Sequence, residues 1–186
     1  MSDGSESRSA APQEASASVS ESDVLIIGGG LVGASLAVAL EPLGLRVTVL
    51  EALPPRGPAP PSYDDRTLAL GSASCHILEG IGLWSQLAEN ATPIREVTVT
   101  ELGRPGRVVM NAPEMGLDRF GNVIEARTFG QAVMKRVEAL DGVRLDCPAV
   151  ATGLEQFAHV VRVTGERKGR PATWQARLVI GADGAA

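Results

Sequence analysis

The 186-residue chain is 44% hydrophobic and 21% charged, a balance that fits one ordinary globular domain with an appendage and leaves fibrous and collagen-like architectures aside. Its net charge of −5 comes without the clustered Lys and Arg that neutralise phosphates, so nucleic acid is not an expected partner. The two cysteines, Cys75 and Cys147, have no second Cys or His at ligand spacing; this argues against a disulfide framework or a metal site and points to a reducing, cytoplasmic setting.

Residues 1–22 are rich in Ser, Ala and Glu and lack the basic start and apolar stretch of a signal peptide, so they read as a disordered tail. The uncharged run Val24 to Leu40 is shorter than the roughly 20 apolar residues a membrane span requires. It is also cut by Gly28, Gly29 and Gly30, each unfavourable inside a helix. A strand over Asp23 to Ile27, a helix from Leu31 to about Glu41 and a β-branched strand over Arg46 to Leu50 explain it better, and together they form a βαβ unit. Pro42 and Gly44 close the helix, the first by removing a backbone donor and the second by accepting left-handed geometry. Five prolines between Ala52 and Ser62 make that stretch an irregular, stiff loop.

A helix is predicted from Ser72, capped by Ser72 or Ser74, with Ile77, Leu78 and Ile81 on its apolar face and Gly82 as its stop. Ile94 to Leu102 and Arg107 to Met110 read as a hairpin across Gly103 to Gly106, outside the βαβ rhythm and therefore in a second sheet. Thr128 to Leu140 is an amphipathic helix with Phe129, Ala132, Val133 and Val137 inward. Short strands follow over Val143 to Leu145, Val150 to Leu154, Val160 to Val163 and Trp174 to Ile180, the last two separated by a polar turn from Gly165 to Pro171. The final strand leads into Gly181-Ala182-Asp183-Gly184.

The motif Gly28-x-Gly30-x-x-Gly33 sits between a strand and a helix, and Glu51 ends the next strand at the distance of about 20 residues that ribose-reading acids keep. Gly28 permits a tight turn, Gly30 lets the backbone approach a pyrophosphate, and Gly33 lets helix and strand pack closely, with Ala37 continuing that contact. The helix N-terminus offers N–H groups and positive dipole to phosphates. Glu51 would accept hydrogen bonds from ribose hydroxyls and repel a 2′-phosphate, which favours FAD or NAD over NADP here. Glycine-rich turns also arise from close backbone packing alone.

With Tyr63-Asp64-Asp65-Arg66-Thr67-Leu68-Ala69-Leu70, Gly82-Leu83-Trp84 and Gly181-Ala182-Asp183-Gly184 added, the chain resembles the ubiquinone-biosynthesis hydroxylases, which are class A flavoprotein monooxygenases. Within them it looks most like the 2-octaprenyl-6-methoxyphenol hydroxylase branch. The resemblance implies an α/β fold with a Rossmann-like FAD-binding domain over 23–186, built on a parallel sheet with helices and a β-meander, and interrupted over 92–121 by part of a substrate domain. It implies that Arg66 reaches the flavin side of FAD, that Asp183 and Gly184 contact FAD and assist NAD(P)H, and that Arg127 and Gln131 lie near the cofactor. From composition alone, Arg66 is a surface partner of Asp64 or Asp65, Asp183-Gly184 a turn, and Arg127 and Gln131 exposed helix-start residues. His159 has no other ligand type beside it and His76 has only the adjacent Cys75, so both read as structural or exposed histidines, and Trp84, Trp174 and Tyr63 read as packing anchors.

The activity implied is hydroxylation of a polyprenyl phenol with NAD(P)H and O₂. A lipid-soluble substrate further implies peripheral contact with the inner membrane or a place in a ubiquinone-biosynthesis complex. No general base stands out, so catalytic residues are unassigned. Family members continue beyond the first Asp-Gly motif, which gives the expectation of an N-terminal FAD-binding portion inactive by itself. A non-catalytic dinucleotide-binding fragment and an NAD-dependent dehydrogenase using the same Gly28 turn are the alternatives.

Overall fold

The computed structural model describes residues 19–53 and 66–184; most of the predicted tail, the proline-rich loop beyond Leu53 and Tyr63, Asp64 and Asp65 lie outside them. In chain order the elements are β1 (Val19–Ile27), α1 (Leu31–Leu40), β2 (Val47–Leu50), β3 (Thr67–Gly71), α2 (Ser72–Gly80), α3 (Trp84–Leu87), β4 (Thr92–Ile94), β5 (Glu96–Thr100), β6 (Arg107–Asn111), β7 (Gly121–Glu125), α4 (Ala126–Glu138), β8 (Val143–Asp146), β9 (Ala149–Gln156), β10 (Val161–Arg167) and β11 (Arg170–Gly181).

The main sheet runs β8-β2-β1-β11-β10-β9. Its first four strands are parallel, and β11, β10 and β9 continue as an antiparallel meander, giving the Rossmann-like α/β architecture that the sequence predicts. Parallel strands covered on both faces must be apolar throughout, and all four residues of β2 are buried. Alternation along β1 divides the core: Val24 and Ile26 meet α1 and α4 through Ala34, Val38, Phe129, Val133 and Val137, while Leu25 joins Leu50, Val163, Trp174 and Ala176 on the opposite face. The inward stripe of α4 is the predicted one, although the helix starts two residues before Thr128. The helix α1 ends in a 3₁₀ turn over Glu41–Leu43 with Gly44 at φ 64°, so Pro42 and Gly44 do close it.

Four expectations change. The tail does not extend to residue 22, because Val19 to Ser22 pair with Thr173 to Ala176 of β11. Polar composition concealed this extension; the neighbouring strand supplies its backbone hydrogen bonds whatever the side chains are. The buried residues of α2 are Cys75 and Leu78, whereas Ile77 is 65% exposed. Gly71 takes the cap position, and the Ser72 hydroxyl instead donates to the Phe120 carbonyl at 3.0 Å. The strand predicted over Ile94 to Leu102 is two strands: Ile94 belongs to β4 in the sheet β3-β7-β4, and only β5 pairs with β6 as the separate hairpin. Finally, the Gly165–Pro171 turn shrinks to Lys168-Gly169, both at positive φ, which matches the twist of two directly paired strands and lets β10 and β11 run to Arg167 and Arg170.

Candidate functional site

The C-terminal ends of β1, β2 and β11 meet at the N-terminus of α1. Gly28 follows β1 at φ 106°, and its N–H donates to the Leu50 carbonyl at 2.8 Å. A side chain is excluded there twice over, by the backbone conformation and by the chain leaving β11: a Cβ would sit 2.7 Å from Asp183 Cα. The Ala182 N–H donates to the Ile27 carbonyl at 2.7 Å and so locks Asp183 and Gly184 beside the glycine turn. At Gly33 a Cβ would overlap the Gly28 carbonyl, which is why helix and strand come so close.

Gly30 differs from both. Its φ is −67° and a Cβ there would meet nothing within 4 Å. Neither its own backbone nor its neighbours require glycine, and the space is open at the point where α1 presents its first N–H groups.

Glu51 follows β2, with its carboxylate accepting the Gly29 N–H at 2.8 Å and the Leu53 N–H at 2.9 Å. Its backbone is also held, since its N–H donates to the Asp146 carbonyl at 3.0 Å and its carbonyl accepts the Ala149 N–H at 2.7 Å. A Cβ on Gly29 would come within 3.0 Å of Glu51 Cβ, so the middle glycine of the run leaves room for the acid. Cys147 lies beside this group and donates to the Leu53 carbonyl at 3.5 Å. Burial first, and then the Glu51 carboxylate, push its thiol above the ordinary range, which disfavours the nucleophilic thiolate.

Gly28, Gly30, Glu51, Asp183 and Gly184 thus line one cleft of about 500 Å³, rimmed by the exposed apolar side chains of Val32, Leu53 and Val150. Gly33 stands behind it as a packing position. Arg66, Arg127 and Gln131 do not line this cleft and form a second group: the Arg66 carbonyl accepts the Ala126 N–H at 2.9 Å, Arg127 is the next residue of α4, and Gln131 is exposed one turn further on. The two groups are connected through the packing of α1 on α4.

Sequence reasoning missed Gly29 and Asp146. The first was visible only as one more glycine. The second is a carboxylate with 6% exposure that accepts Trp174 Nε1 at 2.8 Å, Arg144 Nε at 2.9 Å and Arg167 Nη1 at 3.3 Å, partners that include residues 21 and 28 positions away. His76 and His159 are exposed, and among the described residues no group of three or more His, Cys, Asp or Glu could hold a metal ion. Among the same residues no helix is long and apolar enough to cross a membrane.

The residues present fit the ADP half of a dinucleotide: open space at Gly30 faces a helix N-terminus, and an acceptor at Glu51 stands at the end of the adjacent parallel strand. The FAD binding domain family matches residues 21–186. The chain is 36% identical over 162 residues to ubiquinone hydroxylase UbiL of Rhodospirillum rubrum, covering 87% of this chain and 37% of that protein. It is 34% identical over 165 residues to the 3-demethoxyubiquinol 3-hydroxylase of Escherichia coli, covering 88% of this chain and 41% of that protein. The chain therefore spans about two fifths of the length of these relatives. Among solved structures, p-nitrophenol 4-monooxygenase PnpA from Pseudomonas putida superposes with a TM-score of 0.74 at 20% identity, covering 90% of this chain and 42% of that one.

Proposed function

Because the chain belongs to the FAD binding domain family, we propose that it is the cofactor-binding portion of an aromatic-ring hydroxylase that uses FAD, NAD(P)H and O₂ on a polyprenyl phenol of ubiquinone biosynthesis. The observation that carries this reading is the convergence of Gly28, Gly30, Glu51, Asp183 and Gly184 on a single cleft at the start of α1. Names of the relatives in the quinone-hydroxylase group support the substrate class. In this reading residues 92–121 contribute the first part of a substrate domain, and the polyprenyl tail brings the whole enzyme into peripheral contact with the inner membrane from the cytoplasmic side.

Each residue has a physical task in that reading. The open face of Gly30 and the first N–H groups of α1 hold the pyrophosphate, where helix dipole and unpaired donors favour negative charge. Glu51 is oriented by the Gly29 and Leu53 N–H groups, and its remaining lone pairs accept the adenosine ribose hydroxyls. Asp183 and Gly184 border the same cleft, where they orient the cofactor and assist the approach of NAD(P)H. Arg66, Arg127 and Gln131, grouped where β3 meets α4, face the flavin half; the two guanidiniums supply fixed positive charge there. FAD, when bound, supplies the reduction of O₂ and the transfer of oxygen to the ring. The apolar rim of Val32, Leu53 and Val150 excludes water from the adenosine end.

Calorimetric titration of FAD against NAD, together with the visible spectrum of the purified chain, tests the assignment. FAD is expected to bind in preference; preference for NAD with no flavin absorbance would overturn the reading in favour of a dehydrogenase. Glu51→Ala is expected to weaken FAD binding by roughly 1 to 3 kcal/mol, the cost of losing a charged hydrogen-bond acceptor. Unchanged affinity would mean that Glu51 does not touch the ribose.

A further inference from the structure

We propose that Asp146 is a positioning residue for the Glu51 carboxylate, an inference that rests on the ribose-binding reading of Glu51 given above. The segment 146–149 grips Glu51 through the backbone at both ends, with the Asp146 carbonyl accepting the Glu51 N–H at 3.0 Å and the Ala149 N–H returning to the Glu51 carbonyl at 2.7 Å. The same segment is gripped from its other side by the meander. The Lys168 N–H at the β10–β11 turn donates to the Pro148 carbonyl at 2.9 Å. The buried Asp146 carboxylate accepts Trp174 Nε1 of β11 at 2.8 Å, Arg167 Nη1 of β10 at 3.3 Å and Arg144 Nε of β8 at 2.9 Å.

The choice of a charged residue is informative. A buried carboxylate paired with two partly exposed guanidiniums is weak as a source of stability, since its desolvation offsets much of the attraction and solvent screens the rest. What a carboxylate adds is direction: two oxygens tie donors from three strands to one point and fix where the chain must pass on leaving β8. Glu51 inherits that position through its own backbone, so the meander acts on the ribose acceptor through Asp146. Hydrogen-bond strength falls steeply once angles and distances leave their narrow range, so a small displacement of Glu51 suffices to weaken the ribose contact.

A double-mutant cycle on the full chain tests this, with FAD affinity read from quenching of flavin fluorescence. Asp146→Asn keeps the volume and one acceptor oxygen but turns an amide donor toward the donors around it. It is expected to weaken FAD binding by about five- to tenfold in the wild-type background and by less than about twofold when Glu51 is already Ala, because coupled residues are non-additive. Arg167→Gln, which leaves the carboxylate and Trp174 in place, is expected to show the same pattern with a smaller loss, and it keeps the test available if Asp146→Asn fails to fold. Equal losses in both Glu51 backgrounds would identify a general structural role and overturn the proposal. Wild-type affinity in both the Asp146 and Arg167 variants would overturn it as well, while leaving the Glu51 reading intact provided Glu51→Ala still binds weakly. An unaffected Glu51→Ala variant would instead remove the ribose reading itself, and this inference with it.

Discussion

Gly28→Ala is expected to abolish measurable FAD binding and to lower the unfolding free energy by about 2 to 6 kcal/mol, the sum of roughly 1 to 3 for a backbone held where L residues rarely go and roughly 1 to 3 for overpacking. The φ of 106° supplies the first part, and the Ala182–Asp183 backbone, which cannot swing aside as a side-chain tip could, supplies the second. Relief would require β11 to withdraw from the turn and would break the Ala182-to-Ile27 hydrogen bond. Thermal unfolding followed by far-UV circular dichroism, alongside FAD titration, checks both halves. Gly30→Ala is the informative contrast. With φ at −67° and no neighbour within 4 Å of its Cβ, it is expected to keep the melting temperature within about 2 °C while weakening FAD by at least about tenfold, since 1.4 kcal/mol corresponds to a decade of affinity. A Gly30→Ala variant that binds normally would show that the open space is not where the pyrophosphate lies.

The second large effect concerns Trp174, which is 1% exposed and fills the face of the sheet opposite α1. Trp174→Ala is expected to cost about 3 to 5 kcal/mol in urea unfolding, as truncations of large buried aromatics do. It also leaves the Asp146 carboxylate without the donor at 2.8 Å, so the loss has a polar part that a purely apolar cavity would lack. An effect below about 1 kcal/mol would mean that the site collapses without penalty and that the meander is not a load on the parallel strands.

The legibility of this chain follows the range of its interactions. The βαβ unit could be read because strand, turn and helix signals all lie within residues 23–50, and the inward residues of α4 because one helix face carries them all. Gly28, Gly30, Glu51 and the Asp183-Gly184 pair could be proposed from spacing and motif, and they do line one cleft. By contrast, β3, β4 and β7 are three to five residues long, too short for periodicity to register, and exist because β7 pairs with β3 and β4 through residues 27 to 58 positions apart. The extension of β1 through Val19 to Ser22 is invisible for the same reason: its partner begins at Thr173. Hydrophobicity alone places Ile77 inward, but the buried side of α2 is set by Cys75 and Leu78, and nothing in a nine-residue helix tells which of two apolar stripes the fold will select. Asp146 carries little local signal, because an acid at the end of a strand beside Arg144 looks like half of a surface pair until β10 and β11 bring in its other two donors.

The pairing of β1 with β11 has a consequence for how the chain is made. β1 leaves the ribosome well before β11, so one of its two edges waits for residues 173–181. Contacts of such sequence separation form late, after loop closure has been paid in entropy. Until then the β1–α1–β2 unit is a sheet fragment with an apolar open edge, the kind of species that chaperones recognise. The cleft lined by Gly28 and Asp183 is completed only once β11 has emerged, so on the cofactor-binding reading proposed above, cofactor capture follows synthesis of β11 and does not guide the earlier steps.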